Sequence, residues 1–255
     1  MLELSIIILL AGGVSLLFFM LYEARRNTVK VDKVKLPGFP EHMDPVSLFF
    51  ISDIHKREIS EEIIEQVKGR ADLVIIGGDL LEKGVPFSRV ERNLDKLLTL
   101  GPVYFVWGNN DYEVNTSRLK QIFKKKGIIE IVNSSIKVPI RNGVLNMIGV
   151  DDASTQRADY PSAHKQAHPD EFTLLVSHDP RLVNQVRKED GIDLMVSGHT
   201  HGGQIRLFGW GLYKKGRLEM LPQTTLLVSN GYGTTAIPLR LGAPAETHLL
   251  VIDKG

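Results

Sequence analysis

The most constraining feature of this sequence is a series of five short apolar runs, each followed directly by polar side chains that can bind metal ions. The runs resemble buried strands in their content of Val, Ile, Leu and Phe, and they cover Val46–Ser52, Leu73–Gly77, Val103–Trp107, Thr173–Ser177 and Leu194–Ser197. Segments with helical periodicity lie between the earlier runs, at Glu58–Lys68, Phe87–Leu98 and Val114–Lys126. This alternation predicts a largely parallel sheet with helices on its faces.

The second half of the chain is richer in predicted strands. Ser135–Ile140 and Val144–Val150 flank Arg141-Asn142-Gly143, and an Asn-Gly pair between apolar segments is a strong hairpin signal. Further strands are expected at Thr225–Ser229 and Thr247–Ile252. We therefore expect an α/β fold, a two-sheet β-sandwich flanked by helices.

The N-terminal segment is long and apolar enough to cross a membrane. Residues 4–22 carry no charge, and as a helix they would extend about 28 Å, close to the thickness of a hydrocarbon core. A cleaved signal peptide or a buried core helix are the alternatives. The basic start and the small-residue cleavage site of a signal peptide are missing, and a core helix is rarely so uniformly apolar. We expect residues 1–22 to be a retained transmembrane helix.

Basic residues follow this helix and predict its orientation: Arg25, Arg26, Lys30, Lys33 and Lys35. By the positive-inside rule they would lie in the cytoplasm, together with the main domain, in a single-pass membrane protein. Residues 23–45 are polar and contain three prolines, so we expect a basic, proline-containing linker. Residues 46–255 would then form one domain.

The amino-acid composition limits which side chains can bind a metal ion and which partners are expected. The chain of 255 residues contains no cysteine, which excludes disulfides and thiolate metal sites. Its formal net charge is +1, so nothing in the charge balance favours nucleic acid as a partner. Any metal must be held by nitrogen and oxygen donors from His, Asp, Asn or Glu.

Seven such donors follow the predicted strands: Asp53, His55, Asp79, Asn109, His178, His199 and His201. In parallel α/β sheets, ligands bind at the carboxyl ends of the strands. Taken singly, the Asp residues could be helix N-caps and the Asn a turn residue. Seven donors together suit two ions that share a bridging carboxylate. The remaining histidines are interpreted as surface or structural residues: His42, His164, His168 and His248.

The ordered series D-x-H, G-G-D, G-N-x-D, S-H-D and G-H-T-H-G-G-Q resembles the calcineurin-like metallophosphoesterase family over about residues 46–252. The Gly-Gly-Gln tail and the N-terminal helix are similar to the bacterial membrane-anchored phosphodiesterase branch. The resemblance implies a β-sandwich flanked by helices and a metal-activated water as nucleophile. It also implies two ligand sets that share Asp79: Asp53, His55, Asp79 and His201 for one ion, and Asp79, Asn109, His178 and His199 for the other.

One position departs from the family pattern, which usually has Gly-Asn-His followed by Asp or Glu. Here Asn110 replaces the histidine that is thought to contact phosphate and assist the leaving group, and Asp111 follows it. We take Asn110 and Asp111 as the candidate catalytic residues. An amide donates a hydrogen bond but no proton near neutral pH, so we hypothesise a preference for good leaving groups, or a proton from a substrate-bound water or another side chain.

Three further residues are candidates for substrate binding: Asp152, Gly202 and Lys214. Asp152 ends a predicted strand, but an exposed acidic turn is an equal alternative. Lys214 lies beyond the histidine motif in a basic segment that could contact a phosphate or an anionic headgroup. A solvated loop is the alternative for that segment.

The function that we expect is a dinuclear metal-dependent phosphohydrolase, a membrane-tethered phosphodiesterase or pyrophosphatase. Its substrate could be a lipid-linked nucleotide such as UDP-diacylglucosamine. One alternative is a cyclic nucleotide or nucleic-acid phosphodiesterase, and another is a catalytically silent metal-binding interaction module. The ligand types suit Mn²⁺, Fe²⁺, Zn²⁺, Co²⁺ or Ni²⁺ and do not distinguish among them.

Overall fold

Two six-stranded sheets form the centre of the molecule in the computed structural model, which describes residues 1–168 and 171–255. The first sheet has the order β1-β12-β2-β3-β4-β5, and β2 to β5 run parallel. Its strands are β1 (Val29–Leu36), β2 (Val46–Ile51), β3 (Leu73–Gly77), β4 (Val103–Val106), β5 (Ile129–Glu130) and β12 (Thr247–Lys254).

The second sheet has the order β10-β11-β9-β8-β7-β6, with a parallel centre and antiparallel pairs at both ends. Its strands are β6 (Ser134–Ile140), β7 (Gly143–Gly149), β8 (Thr173–Val176), β9 (Leu194–Ser197), β10 (Arg217–Met220) and β11 (Thr225–Val228). The predicted hairpin around Asn142 is the β6–β7 pair.

In the part of the chain that the structure describes, five α-helices accompany the sheets: α1 (Leu2–Ala24), α2 (Glu61–Val67), α3 (Phe87–Leu98), α4 (Thr116–Lys126) and α5 (Tyr160–His164). One apolar core lies between the sheets, where Phe50 and Val106 of the first pack near Met147 and Val196 of the second. A second core lies between the first sheet and α2, α3 and α4, and a third lies outside the second sheet, against α5. The predicted two-sheet sandwich flanked by helices is confirmed.

The segment 23–45, expected to be a linker, contains strand β1, which pairs in parallel with β12 along its whole length. Lysines alternate with buried Val34 and Leu36 in this strand, so its composition resembles that of a charged connector. Lysine is common on edge strands, where it discourages pairing with other chains. The chain after β1 is also part of the fold, since Phe39 and Met43 are buried.

Helix α1 is exposed along its apolar length, and among the described residues it is the one helix long and apolar enough to cross a membrane. Its C-terminal end docks on the domain. Met20 O accepts a hydrogen bond from Arg240 N at 3.1 Å, and Glu23 O accepts one from Ala245 N at 3.1 Å. The Arg57 guanidinium donates to Arg25 O at 2.6 Å, next to a helix end whose last carbonyls lack helical partners.

Candidate metal centre

The carboxyl ends of strands from both sheets meet at one place, and the seven predicted donors follow these ends. The first sheet contributes Asp53 and His55 after β2, Asp79 after β3 and Asn109 after β4. The second sheet contributes the histidines after β8 and β9. The structure brings donor atoms together in two groups, and within each group the atoms lie no more than 4.8 Å apart. The groups are Asp53, His55 and His201, and Asp53, Asp79 and His178.

The spacing of these donor atoms fits metal coordination. His55 Nε2 lies 3.1 Å from His201 Nε2, which is 3.4 Å from Asp53 Oδ1. On the other side, His178 Nε2 lies 3.3 Å from Asp79 Oδ2 and 3.2 Å from His199 Nδ1. Tetrahedral or octahedral ligands about 2.1 Å from an ion are separated by about 3.0 to 3.4 Å. The observed distances match that range.

Asp53 belongs to both groups, whereas Asp79, the bridging ligand that the resemblance implies, belongs to the second group and also lies near His55 of the first. The Asp79 Oδ2 atom is 3.3 Å from His178 Nε2 and 3.7 Å from His55 Nε2. A carboxylate in this position can contribute to both ligand sets. The residues therefore suit a dinuclear centre.

The backbone is strained at the candidate ligands. Five of the seven have positive φ angles, a region that residues other than glycine rarely adopt, namely Asp53 (54°), His55 (51°), Asp79 (52°), His199 (68°) and His201 (49°). Such conformations cost of order 1 kcal/mol each and persist where the surrounding structure enforces them, often at functional sites. The sharp turns let Asp53 and His55, and likewise His199 and His201, direct alternate side chains into one centre.

Two glycines permit the close packing of the loops. A Cβ atom at Gly198 would lie 2.4 Å from Asp53 Oδ2, and one at Gly108 would lie 2.3 Å from Asp79 Oδ1. No side chain fits at either position without displacing a candidate ligand. The glycines in these motifs therefore serve close backbone approach.

Hydrogen bonds orient several donors toward the centre. His178 Nδ1 donates to Gly77 O at 2.8 Å, which leaves Nε2 free as a ligand. His55 Nδ1 lies 3.0 Å from Glu82 Oε2. Asn109 Nδ2 donates to Asn110 Oδ1 at 2.9 Å, whereas the buried Asn109 Oδ1 has no hydrogen-bond partner among the described residues. An amide oxygen left unpaired in this way fits a metal ligand.

Electrostatics also suit cations. Burial opposes ionisation of Asp53 and Asp79, but the neighbouring histidines outweigh it and hold the pKa of both carboxyl groups below its ordinary value. Burial, with the positive charge of nearby His55 and Arg240, lowers the pKa of His201 to about 3. Anionic carboxylates and neutral imidazoles are the forms that bind metal ions. Burial opposes protonation of His55 and His178, but the neighbouring carboxylates outweigh it and raise the pKa of both, so a metal ion would displace protons from these two histidines.

A cavity of about 410 Å³, called here the main cavity, opens onto the centre. The candidate ligands Asp79, His199 and His201 contribute to its lining, together with Ile205, Leu212, Tyr213 and Ala236. A second, basic cavity of about 380 Å³ shares His199, Thr200 and Tyr213 with the first. Its lining combines the cations Arg181, Lys214 and Arg217 with apolar Val183, Leu226 and Val228. Arg181 is paired with Asp179, and Arg217 is paired with Glu219.

The two candidate catalytic residues occupy different positions. Asn110 lines the main cavity, and its Nδ2 donates to Glu113 Oε1 at 3.0 Å. Asp111 is fully buried and accepts hydrogen bonds from the backbone amides of Asp79 (2.8 Å), Leu81 (3.2 Å) and Gly108 (2.9 Å). Its position is therefore that of a residue that holds the Asp79 loop, away from the cavity.

The three candidate substrate residues also differ. Asp152 is fully buried and accepts hydrogen bonds from Ser154 and Thr155 of its own turn, so the geometry does not fit substrate contact. Gly202 is buried, and a Cβ atom there would lie 2.0 Å from Asn230 Oδ1, so it serves packing. Lys214 lines the basic cavity next to His199 and remains a candidate.

Sequence reasoning missed Glu82 and Arg240. Glu82 faces His55 and pairs with Lys56 at 2.6 Å. Arg240 is fully buried, with Nη2 3.1 Å from His201 Nδ1 and 2.6 Å from Gly233 O. Neither residue directly follows a predicted strand. The sequence signal that could have identified Glu82 is its position in the loop just after Asp79.

A family model decides the classification, because the one described as calcineurin-like phosphoesterase matches residues 46–203. The chain belongs to the calcineurin-like phosphoesterase family. It is a metallophosphoesterase, a hydrolase that acts on phosphoester bonds.

Several relatives of this phosphoesterase cover most of its length. It is 43% identical over 231 residues to the Bacillus subtilis protein "Uncharacterized protein YpbG", covering 88% of this chain and 89% of that one. It is 30% identical over 264 residues to "Uncharacterized metallophosphoesterase YkoQ" of the same organism, covering 94% and 97%. It is 27% identical over 184 residues to "Phosphodiesterase YaeI" of Escherichia coli, covering 68% and 67%.

Solved structures support the fold of this phosphoesterase. The crystal structure of a 5'-nucleotidase precursor from Thermus thermophilus superposes with a TM-score of 0.51 at 14% sequence identity. The match covers 82% of this chain and 55% of that one. At this identity the likeness concerns the architecture alone.

Proposed function

We propose that this phosphoesterase is a membrane-tethered phosphodiesterase or pyrophosphatase that uses two divalent ions. The observation that carries the proposal is the opening of the candidate metal centre onto two adjoining cavities, one of which contains cationic side chains. Apolar side chains contribute to the lining of both cavities, and the second also contains Arg181, Lys214 and Arg217. A substrate with an apolar part and an anionic part on either side of a phosphoryl group matches this arrangement.

A lipid-linked nucleotide has that chemistry, and UDP-diacylglucosamine is one example. The acyl part would lie toward Leu212 and Ala236 in the main cavity, and the nucleotide phosphates would lie near Lys214 and Arg217. Helix α1 would hold the domain at the membrane that contains such a substrate. The basic residues after α1 favour the cytoplasmic side.

The protein's own residues orient the reacting groups. Asp53, His55, Asp79 and His201 would hold one ion, and Asp79, Asn109, His178 and His199 the other. The ions would supply a nucleophilic water and neutralise charge on the phosphoryl oxygens. Asn110 can donate a hydrogen bond in the cavity but no proton, so the leaving group must be stable as an anion, as a nucleoside phosphate is.

The proposed chemistry is tested with the purified full chain and Mn²⁺ on an aryl phosphodiester and an aryl phosphomonoester. We expect preference for the diester and a loss of at least about 10³-fold in kcat/KM for Asp79→Ala and His199→Ala, since the ions provide most of the catalysis. His42→Ala, at an exposed histidine, is the matched control. Two bound metals without any turnover would instead indicate a silent binding module.

The lipid part of the proposal needs a second comparison. UDP-diacylglucosamine in mixed micelles is compared with the same nucleotide sugar without acyl chains, and with a cyclic nucleotide. A higher kcat/KM for the acylated compound supports a lipid-linked substrate. Equal values, or preference for the cyclic nucleotide, would overturn this part while leaving the diesterase chemistry intact.

A further inference from the structure

An exposed aromatic hairpin lies beside the main cavity. Leu207 and Trp210 exchange two backbone hydrogen bonds of 2.9 Å, and Phe208 and Gly209 form the turn with φ angles of 50° and 85°. Positive φ at both turn residues is typical of a tight two-residue hairpin. Phe208 is 100% exposed, Trp210 84% and Leu212 92%. We call residues 206–213 the aromatic hairpin.

The hairpin has a defined shape although its apolar side chains are exposed. The Arg206 guanidinium donates hydrogen bonds to Gly202 O at 2.9 Å, to Gly209 O at 2.5 Å and to Tyr213 O. A single side chain thus holds both arms and the turn together. The protein places a cation on the inner side of this loop and presents large apolar groups to the outside, which is unfavourable in water.

Hydrogen bonds connect the base of the hairpin to the end of α1. Arg206 N donates to Leu241 O at 2.8 Å, and Leu241 N donates to Gln204 O at 2.9 Å. The residues on either side of Leu241 bind α1: Arg240 N donates to Met20 O at 3.1 Å, and Gly242 N donates to Glu23 Oε2 at 2.7 Å. The hairpin base is therefore one short segment away from the last turn of the apolar helix.

This connection places the base of the hairpin near the C-terminal end of α1. A helix of 23 residues is about 34 Å long, so a membrane-spanning α1 would place Met20 and Glu23 at the bilayer surface. The base of the aromatic hairpin would then lie close to the same surface. Lys214 and Lys215 directly follow the hairpin, and aromatic groups next to lysines are typical of segments that bind the interface of an anionic membrane.

We propose that the aromatic hairpin inserts into the lipid interface as a second membrane contact beside α1. Phe208 and Trp210 would lie among the upper acyl chains, and Lys215 would lie at the phosphate headgroups. Leu212 and Tyr213 belong both to the hairpin and to the wall of the main cavity, so the cavity would open at the lipid surface. The inference rests on the proposed membrane tether and specifies how substrate reaches the site.

The chain allows a direct test because it has two tryptophans, Trp107 and Trp210. Trp107 is 0% exposed and Trp210 84% exposed. The full chain is reconstituted in phosphatidylcholine–phosphatidylglycerol vesicles with or without bromine on the upper acyl chain. We expect brominated lipid to quench the Trp210 part of the emission by at least about half, since interfacial groups insert about 5–10 Å. The Trp210→Phe variant, which retains Trp107, should show little quenching.

Equal Trp210 emission in brominated and ordinary lipid would overturn the proposal. Blue-shifted emission without quenching would also overturn it, because a second copy of the chain or another protein surface would then cover the hairpin. Turnover of the aryl diester is measured in the same vesicles. Quenching without turnover would support the membrane contact and refute the proposed chemistry. Turnover without quenching would support the proposed chemistry and refute the membrane contact.

A double variant tests the consequence for substrate entry. Phe208→Ser with Trp210→Ser removes the apolar tip, and neither residue lines the main cavity. We expect unchanged turnover of the soluble aryl diester and a loss of about tenfold or more on UDP-diacylglucosamine held in vesicles. Met220→Ser, at an 83% exposed apolar residue on β10, is the matched control. An unchanged rate on the vesicle-held substrate would contradict a role of the hairpin in substrate entry.

Discussion

At the residue scale, Asn110 is the candidate catalytic residue that lines the main cavity. Its Oδ1 accepts from Asn109 Nδ2, which leaves Asn109 Oδ1 available to a metal ion, and its Nδ2 is directed to Glu113. The residue thus orders a neighbouring donor without offering a proton. A histidine at this position would add an acid to a cavity that has the metal ligands already in place.

Asn110→His should therefore raise the rate on substrates with poor leaving groups. General acid assistance contributes about 10²-fold or more where the leaving group must be protonated. We expect kcat for an alkyl phosphodiester to rise and that for a nitrophenyl diester to change little. A series of diesters of increasing leaving-group pKa measures this. An equal fold-change in kcat for every diester, whatever the pKa of its leaving group, would refute the assigned role of position 110.

Glu82 is a second residue with a testable role, since its carboxylate faces the ring nitrogen of His55 on the side away from the ions. Removing a carboxylate that orients a metal-bound histidine commonly weakens metal affinity about 10- to 100-fold. We expect Glu82→Gln to require correspondingly more Mn²⁺ for half-maximal activity, with little change in the maximal rate. Titration of activity with Mn²⁺ gives the comparison, and Glu65→Gln, at an exposed glutamate, is the control. Identical titrations for both variants would show that Glu82 has no such role.

The seven candidate ligands could be proposed from the sequence because each of them follows a buried strand, and the structure brings five of them into two groups of donor atoms. Asp152 also follows a strand, but the hydroxyls and amides of its own turn satisfy its carboxylate. Arg240 was missed since it is 39 residues from His201 in sequence. Contacts of that kind depend on how the loops fold over one another, which local patterns do not contain.

At the scale of elements, the bounds of the central strands and of α3 agree with the sequence patterns, since their apolar residues are continuous or periodic. β1 was missed because its lysines disguise the alternation, and β5 because it has only two residues. β10 was also missed, since its residues alternate between exposed and half-buried positions on an edge. Edge strands bury one face at most, and so their sequence signal is weak.

The pairing of β1 with β12 contains a buried histidine with acidic neighbours. His248 Nδ1 lies 2.9 Å from Asp32 on β1, and its Nε2 lies 3.4 Å from Glu246, which also pairs with Lys30 at 2.6 Å. On the other side, His248 is opposite Phe50 of β2. Burial opposes protonation, but the two carboxylates outweigh it and raise the pKa of His248 above its ordinary value.

This pair of strands should therefore be stabilised by a protonated His248. The contribution of His248 to the free energy of unfolding is complete below the pKa of histidine in the unfolded chain, about 6.5. It is lost as the pH rises through the higher pKa that His248 has in the folded protein. We expect the difference in thermal midpoint between the natural protein and His248→Gln to shrink from about pH 6 to pH 9. Thermal scans of the full chain in detergent measure it. A difference that is constant over this range would show that the imidazolium does not stabilise the fold.

At the scale of the whole molecule, the candidate ligands come from both sheets of the sandwich. Asp53 and Asp79 follow strands of the first sheet, and His178 and His199 follow strands of the second. Ions held among them would connect the two sheets at one end. The connection would also offset the strain of the positive φ angles at the ligands.

Removal of the ions should accordingly destabilise the protein. A ligand present at about 1,000 times its Kd contributes about 4 kcal/mol, which corresponds to roughly 10 °C in thermal midpoint for a domain of this size. We expect a chelator to lower the midpoint by about this amount and Mn²⁺ to restore it. In His199→Ala the difference between the two conditions should be much smaller. A chelator without effect on the natural protein would contradict the prediction.

The junction between α1 and the domain has a kinetic consequence. Only residues 25–28 separate the end of α1 from β1. The Arg57 guanidinium donates a hydrogen bond to the backbone carbonyl of Arg25 in this short segment. With α1 in a bilayer, the active site would stay close to the membrane and would meet a lipid-linked substrate of the proposed kind by lateral diffusion. Its rate would then follow the mole fraction of substrate in the lipid surface, so that adding inert lipid would slow turnover while the bulk concentration of substrate stayed the same.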